Sequence, residues 1–285
     1  MFEFFTILSS QAFLQNALLG GMLASIGCGL TGSFVVVNRI GYMAGGIAHS
    51  VLGGMGVAYY LGLNPFAGAL VAALLAALII GVIKLKWQHQ EDTTIGAVWA
   101  IGMAIGIIFI SKSDGYNTNL MSFLFGNILI ISDEQLFVML LLDIITIIFV
   151  AVFYKQLVAI SFDIEFATVR GINVNLFYLL LLCLIAITVV LLIQVVGLIL
   201  VIALLTLPAA IAKQYVHSIG MMMLLASVLG VLFTSTGLFL SYEPDLPAGA
   251  TIILVAGVVY FISSLFKSLI RFKALSFLKP PSRVK

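Results

Sequence analysis

Charge is what this chain lacks most. Of its 285 residues, only 8% are charged and 63% are hydrophobic. A soluble domain carries roughly 25% charged residues, so this chain could not cover its own surface in water. That excludes a soluble globular fold and leaves an integral membrane protein. Basic residues are absent from the first eleven positions, MFEFFTILSSQ, which hold one acid and no Lys or Arg. A secretory signal peptide has a basic start, so this segment is expected to be retained, lying along the membrane surface. Cysteine is scarce. Cys28 and Cys183 both fall within apolar runs, where they suit small hydrophobic packing and suggest no disulfide framework.

Several chemical signatures are missing as well. There is no G-x-x-x-x-G-K-[ST] phosphate loop, so the chain is not expected to hydrolyse ATP. No paired His or Cys residues stand at structural-zinc spacing, and no Ser/His/Asp or Cys/His constellation stands out. Catalysis by this chain and nucleic-acid binding are therefore not expected.

Long apolar runs fill the sequence instead. A membrane span needs about 17–25 mostly apolar residues. Such runs lie at 13–37, 43–62, 65–84, 94–111, 135–154, 176–193, 196–212, 218–240 and 249–270. The expected fold is an all-α polytopic membrane protein of about nine transmembrane helices, in a single domain over 1–285. The run 176–212 is too long for one ordinary helix and is divided here at Gln194–Gly197. A broken or re-entrant helix at that point would make the count eight. Pro208 is expected to kink its helix, because it lacks a backbone donor.

Nine spans with the N-terminus outside put 12 of the 13 basic residues on the same side as the C-terminus, with Lys112 the exception. The positive-inside rule makes that side cytoplasmic. The basic tail at 271–285 alternates charge with apolar residues and should snorkel at the inner lipid surface. No loop is long enough to form a soluble domain. Any energy source other than an ion gradient must then come from another polypeptide.

Two ionisable side chains fall well inside the spans. His49 lies in NRIGYMAGGIAHSVLGGMG, a glycine-rich segment from Asn38 to Gly56. An imidazole there can hold a first-row metal or a proton, or bond to a neighbouring helix. Asp143 is near the middle of LFVMLLLDIITIIFV. A carboxylate at that depth costs roughly 2.5–3.5 kcal/mol on the insertion scale, so a partner, water or a cation should compensate it. Both are candidate metal residues. His89, Glu91 and Asp92 suit the cap of the span that starts near Thr93, and EPDLP, with Glu243 and Asp245, suits a prolyl turn. Gly102 and Gly106 form a GxxxG, which favours close helix packing.

The segment SFDIEFATVRGIN, 161–173, reads as a short amphipathic helix. Phe162, Phe166 and Val169 are at helical spacing, Asp163 and Glu165 suit its start, and Gly171 suits its stop. On the cytoplasmic side between two spans, it is suited to docking a motor protein.

The pattern D-x-E-x-A-x-x-x-G at Asp163, Glu165, Ala167 and Gly171 resembles the ATPase-coupling segment of ABC importer permeases for manganese, zinc and iron. Other blocks fit that family in order: CGLTGSFVVVNR, GGIAHSVLGG, EDTTIGAVWAIGMAIGIIFIS, LFGNILIIS, QVVGLILVIALLTLPAAIA and the 242–249 stretch. The resemblance implies a homodimer around a central path in a prokaryotic cell membrane. It also implies two cytoplasmic ATP-binding subunits, an external metal-binding protein, and import of zinc, manganese or iron by alternating access. Many members of that family have an acid four residues before this histidine, where this chain has Gly45. An imidazole without that carboxylate leans towards zinc or iron and away from manganese. A proton-driven secondary transporter with His49 and Asp143 as its relay is the alternative on the residues alone.

Overall fold

The structure is a computed structural model. It describes residues 11–86, 91–113, 124–126, 128–242, 244 and 246–277, without the side chains of Glu91 and of 270–277. Among these residues there are nine α-helices and no strand: α1 Ala12–Asn38, α2 Gly41–Tyr60, α3 Pro65–Lys86, α4 Glu91–Ser111, α5 Asp133–Phe162, α6 Ile164–Val169, α7 Val174–Tyr215, α8 Ile219–Tyr242 and α9 Ala248–Phe277. Local chemistry sets several starts. Ser132 and Gln135 form a capping box before α5, with Asp133 and Glu134 in its first turn. Asn173 accepts from the Leu176 N–H to begin α7, and Asn64 accepts from the Phe66 N–H ahead of Pro65 at the first position of α3.

Seven of these helices are long and apolar enough to cross a membrane. The glycine-rich α2, at 20 residues, is not among those seven, but its length of about 30 Å matches a bilayer core. The 42 residues of α7 would reach about 63 Å if straight, twice a bilayer core. They do not run straight. Gly197 leaves helical geometry at φ +77 and ψ 170, and contacts on either side of it reveal a reversal.

Hydrogen bonds tie each end of the bundle together. At one end, Asn38 donates to Ser161 Oγ (3.0 Å), Tyr42 to the Asp92 carbonyl (3.3 Å) and Lys213 to the Val36 carbonyl (3.3 Å). At the other, Asn16 donates to Asp133 Oδ1 (2.7 Å) and Gln135 to Gln194 Oε1 (3.4 Å). Gly197 packs at this second end against Phe125, Gly126 and the start of α9. Leu179 and Leu182, by contrast, lie against Gly81 near the first end, where Lys213 also lies. Helix α7 is thus two arms, α7a before Gly197 and α7b after it, both directed to the first end. The expected division at Gln194–Gly197 is this turn, so the described residues form nine long helical segments. Pro208 sits inside α7b, and the break in helical geometry is at Gly197.

Both arms form the core of the bundle. Helix α7 packs on α1, α2, α3, α5, α8 and α9, whereas α4 packs chiefly on α2 and, less, on α3. The α2–α4 seam is glycine on glycine: a Cβ at Gly53 would meet the Gly102 carbonyl oxygen at 2.8 Å, and one at Gly56 would meet that of Gly106 at 2.6 Å. Only backbones without side chains can approach so closely.

Candidate functional site

His49 is the ninth residue of α2, about 12 Å along from Gly41. The glycine seam draws α4 against it, and the indole of Trp99 lies flat on the imidazole. Their ring centroids are 4.1 Å apart and the planes differ by 3°. Trp99 is held in turn, because its Nε1–H donates to Met103 Sδ at 3.0 Å. His49 Nδ1 is buried and has no hydrogen-bond partner among the described residues. No acid stands beside it one turn earlier, since that position is Gly45.

Asp143 occupies a different seam. It is 1% exposed, and neither carboxylate oxygen has a hydrogen-bond partner among the described residues. A Cβ at Gly27 of α1 would come within 2.9 Å of Asp143 Oδ1 and 3.3 Å of the Thr188 methyl of α7a. Cys28 is close enough to interact with it electrostatically. Nearby hydroxyls are spent elsewhere: Thr31 donates to the Gly27 carbonyl, Thr146 to Leu142 and Thr188 to Leu184. The immediate neighbours of His49 come from α4, and those of Asp143 from α1 and α7a. Among the described residues, no three His, Cys, Asp or Glu side chains gather into one metal cluster.

The 161–173 segment is built in two pieces. Helix α5 leaves helical geometry at Phe153 (φ −103, ψ 18), next to the expected end at 154. It resumes beyond this kink to Phe162, where Lys155 and Gln156 extend a helix as readily as they make a loop. Asp163 then leaves helical geometry (φ −150, ψ 96) and accepts the Phe166 N–H at 2.8 Å, capping the six-residue α6. Phe162 therefore belongs to the end of α5 and not to the amphipathic helix. Arg170 ends α6 and lies over the Phe166 ring at 5.1 Å; Gly171 follows at φ +75. Ala167 is fully buried, while Phe162, Ile164 and Val169 are 68%, 60% and 88% exposed. Glu165, in the first turn, is exposed. This end of the molecule presents apolar side chains on a short capped helix.

A cavity of about 190 Å³ opens at the opposite end, lined by Met55, Asn64, Gln135, Gln194 and Gly126. His89, Glu243 and Asp245 lie outside the described residues, as does the part of the 271–285 tail beyond Phe277. Asp92 is exposed in the first turn of α4, and His217 is exposed. Sequence reasoning did not single out Trp99. The available signal was a lone tryptophan inside an apolar run, away from the interfaces where tryptophan concentrates, on a run carrying GxxxG.

The chain is similar to known membrane proteins over most of its length. Residues 10–267 match the model of the ABC 3 transport family. An uncharacterized membrane protein of Synechocystis is 49% identical over 90% of this chain and 91% of its own length. The manganese transport system membrane protein MntC of Listeria monocytogenes is 37% identical over 91% of this chain and 92% of its own. Among solved structures, PsaBC from Streptococcus pneumoniae in complex with Fab superposes with a TM-score of 0.84 at 37% identity, covering 92% of this chain and 94% of that one.

Proposed function

The chain belongs to the ABC 3 transport family, and from that premise we propose that it carries a divalent transition metal into the cytoplasm by alternating access. It is a multi-pass membrane permease subunit, and ATP hydrolysis lies in a separate subunit. The proposed assembly is a homodimer with two cytoplasmic ATP-binding subunits and an external metal-binding protein. The basic end of the bundle faces the cytoplasm, on the positive-inside bias.

The observation that carries this reading is the capped helix α6, whose exposed Ile164 and Val169 lie beside a fully buried Ala167 and next to the exposed Phe162 at the end of α5. A six-residue helix cannot be stable alone. Here its cap at Asp163 and the buried Ala167 fix it to the bundle, so a push on the exposed side chains reaches α5 and α7a. Phe162, Asp163, Glu165, Ala167 and Gly171 are assigned to ATPase coupling on this ground.

His49 is assigned to the metal path as a ligand that binds and releases. Asp143 is a second station, set apart from it and supported by its two unpartnered oxygens. Manganese is favoured by the name of the Listeria relative, and zinc or iron by an imidazole without a neighbouring carboxylate.

Reconstitution with the cognate ATPase and binding protein tests the proposal, with uptake of manganese, zinc and iron measured separately. ATP-dependent uptake of at least one metal is expected, with loss of coupling in Val169→Asp. Failure of every metal to enter in an ATP-dependent way would sink it.

A further inference from the structure

Among the described residues His49 stacks on Trp99, and the position one turn before it is Gly45 instead of an acid. A Cβ at position 45 would lie 3.0 Å from Ile202 Cδ1 of α7b, so a side chain there would have to displace the flexible end of Ile202. The ring is not held by a hydrogen bond at Nδ1. What fixes its plane is the stack on Trp99, at 4.1 Å and 3°. Trp99 is anchored through Met103 Sδ and carried by a close seam between α4 and α2: a Cβ at Gly102 would meet Cα of Ser50, the residue next to His49, at 2.6 Å.

We propose that Trp99 is the positioning residue of the metal site. Its π face supplies to a metal-bearing imidazole part of the electrostatic stabilisation that a neighbouring carboxylate would otherwise bring. The inference rests on His49 being a metal ligand. A metal on an imidazole nitrogen draws density from the ring and makes it more cationic. An indole face attracts cationic groups more strongly than any other aromatic side chain. The parallel stack also limits rotation of the ring, and a ligand nitrogen lies in the ring plane, so holding the plane fixes where the metal is met. Trp99 touches no metal in this scheme and acts through His49.

The test uses the full-length permease with Trp87→Phe, which leaves Trp99 as the one tryptophan of the two in the chain. Manganese ion is paramagnetic and quenches indole emission at short range, whereas zinc ion does not. Added manganese should quench Trp99 saturably, zinc should compete that quenching away, and His49→Ala should abolish it. In the reconstituted importer, Trp99→Leu should raise KM about 3- to 10-fold, the equilibrium worth of an aromatic pair, while the maximal rate stays within about twofold. Trp99→Phe, which keeps a ring on the imidazole, should restore most of the KM.

Wild-type KM in Trp99→Leu, with uptake lost in His49→Ala, would overturn the positioning role and leave the ligand role intact. Full uptake in His49→Ala would remove both. Should Trp99→Leu fail to fold, the quenching experiment decides alone, and absence of saturable quenching by both manganese and cobalt, a paramagnetic stand-in for zinc, overturns the proposal.

Discussion

His49 and Asp143 are both titratable groups in apolar spans, and the bundle houses them in opposite ways. His49 lies in a seam between two helices joined by glycine backbones, only partly buried, with a tryptophan on its ring face. Asp143 lies where α1, α5 and α7a close over it, 1% exposed, with no hydrogen-bond partner among the described residues. A group that must meet and release a passing ion needs access and a fixed orientation. His49 has both. Asp143 has neither in this conformation, so its use would require α1 or α7a to move.

The largest effect should come from breaking the seam that makes the His49 region what it is. Gly53→Leu drives a side chain into the Gly102 carbonyl, 2.8 Å from where its Cβ must stand. Backbone cannot yield as a flexible side chain can, so about 3 kcal/mol or more of stability should be lost, together with uptake. The matching change in the other region is milder. Gly27→Ala meets a side-chain oxygen of Asp143 at 2.9 Å, and a rotamer shift should relieve it for about 1 kcal/mol. Thermal unfolding in detergent measures both, and equal losses would dissolve the contrast between the two regions.

Next come the two side chains themselves, read by transport. His49→Ala should lower uptake by roughly 10-fold or more, since loss of even an outer partner of a metal ligand costs that much. Asp143→Asn keeps the shape and loses the charge, so a smaller fall is expected. Full uptake in Asp143→Asn would take Asp143 off the path. Stability should separate them again. Asp143→Leu removes carboxyl oxygens that have no partner among the described residues and should hold or raise stability by about 1 kcal/mol, whereas His49→Ala forfeits a stacked pair worth about 0.5–1.5 kcal/mol. Marked destabilisation by Asp143→Leu would mean that the carboxyl is satisfied in the membrane by something these contacts do not include.

The same contrast explains what could be read from sequence. Spans were legible because apolar runs report the bilayer directly, and even the turn in α7 fell within the expected Gln194–Gly197. Its cause was less visible. Gly197 turns against the backbones of Phe125 and Gly126 and lies close to Gly249, contacts distant in sequence. Helix α5 kinks at Phe153, beside the expected end at 154, and then resumes to Phe162, because hydropathy marks where lipid ends and not where hydrogen bonding ends. His49 stood out as a lone imidazole among glycines. Trp99 did not, since its meaning depends on the register of α4 against α2, which the seam sets and no local pattern states.

The smallest effect tests how isolated Asp143 is. Cys28 is a free, buried thiol near that carboxylate, so Cys28→Ser places a stronger donor beside two unpartnered oxygens. A rescue would seem natural, but hydroxyls on α1 have a nearer acceptor. Ser25 donates to the Gly21 carbonyl at 2.6 Å, Thr31 to Gly27 at 2.9 Å and Ser33 to Gly29 at 2.7 Å. A serine at 28 should do likewise, bonding back to the carbonyl of Ala24 four residues earlier. The expected change in unfolding free energy is therefore within about 0.5 kcal/mol. A gain well above 1 kcal/mol, lost again in Cys28→Ser/Asp143→Asn, would show the new hydroxyl donating to Asp143. The carboxylate would then be reachable from α1, and its difference from His49 would be one of missing partners and not of enclosure.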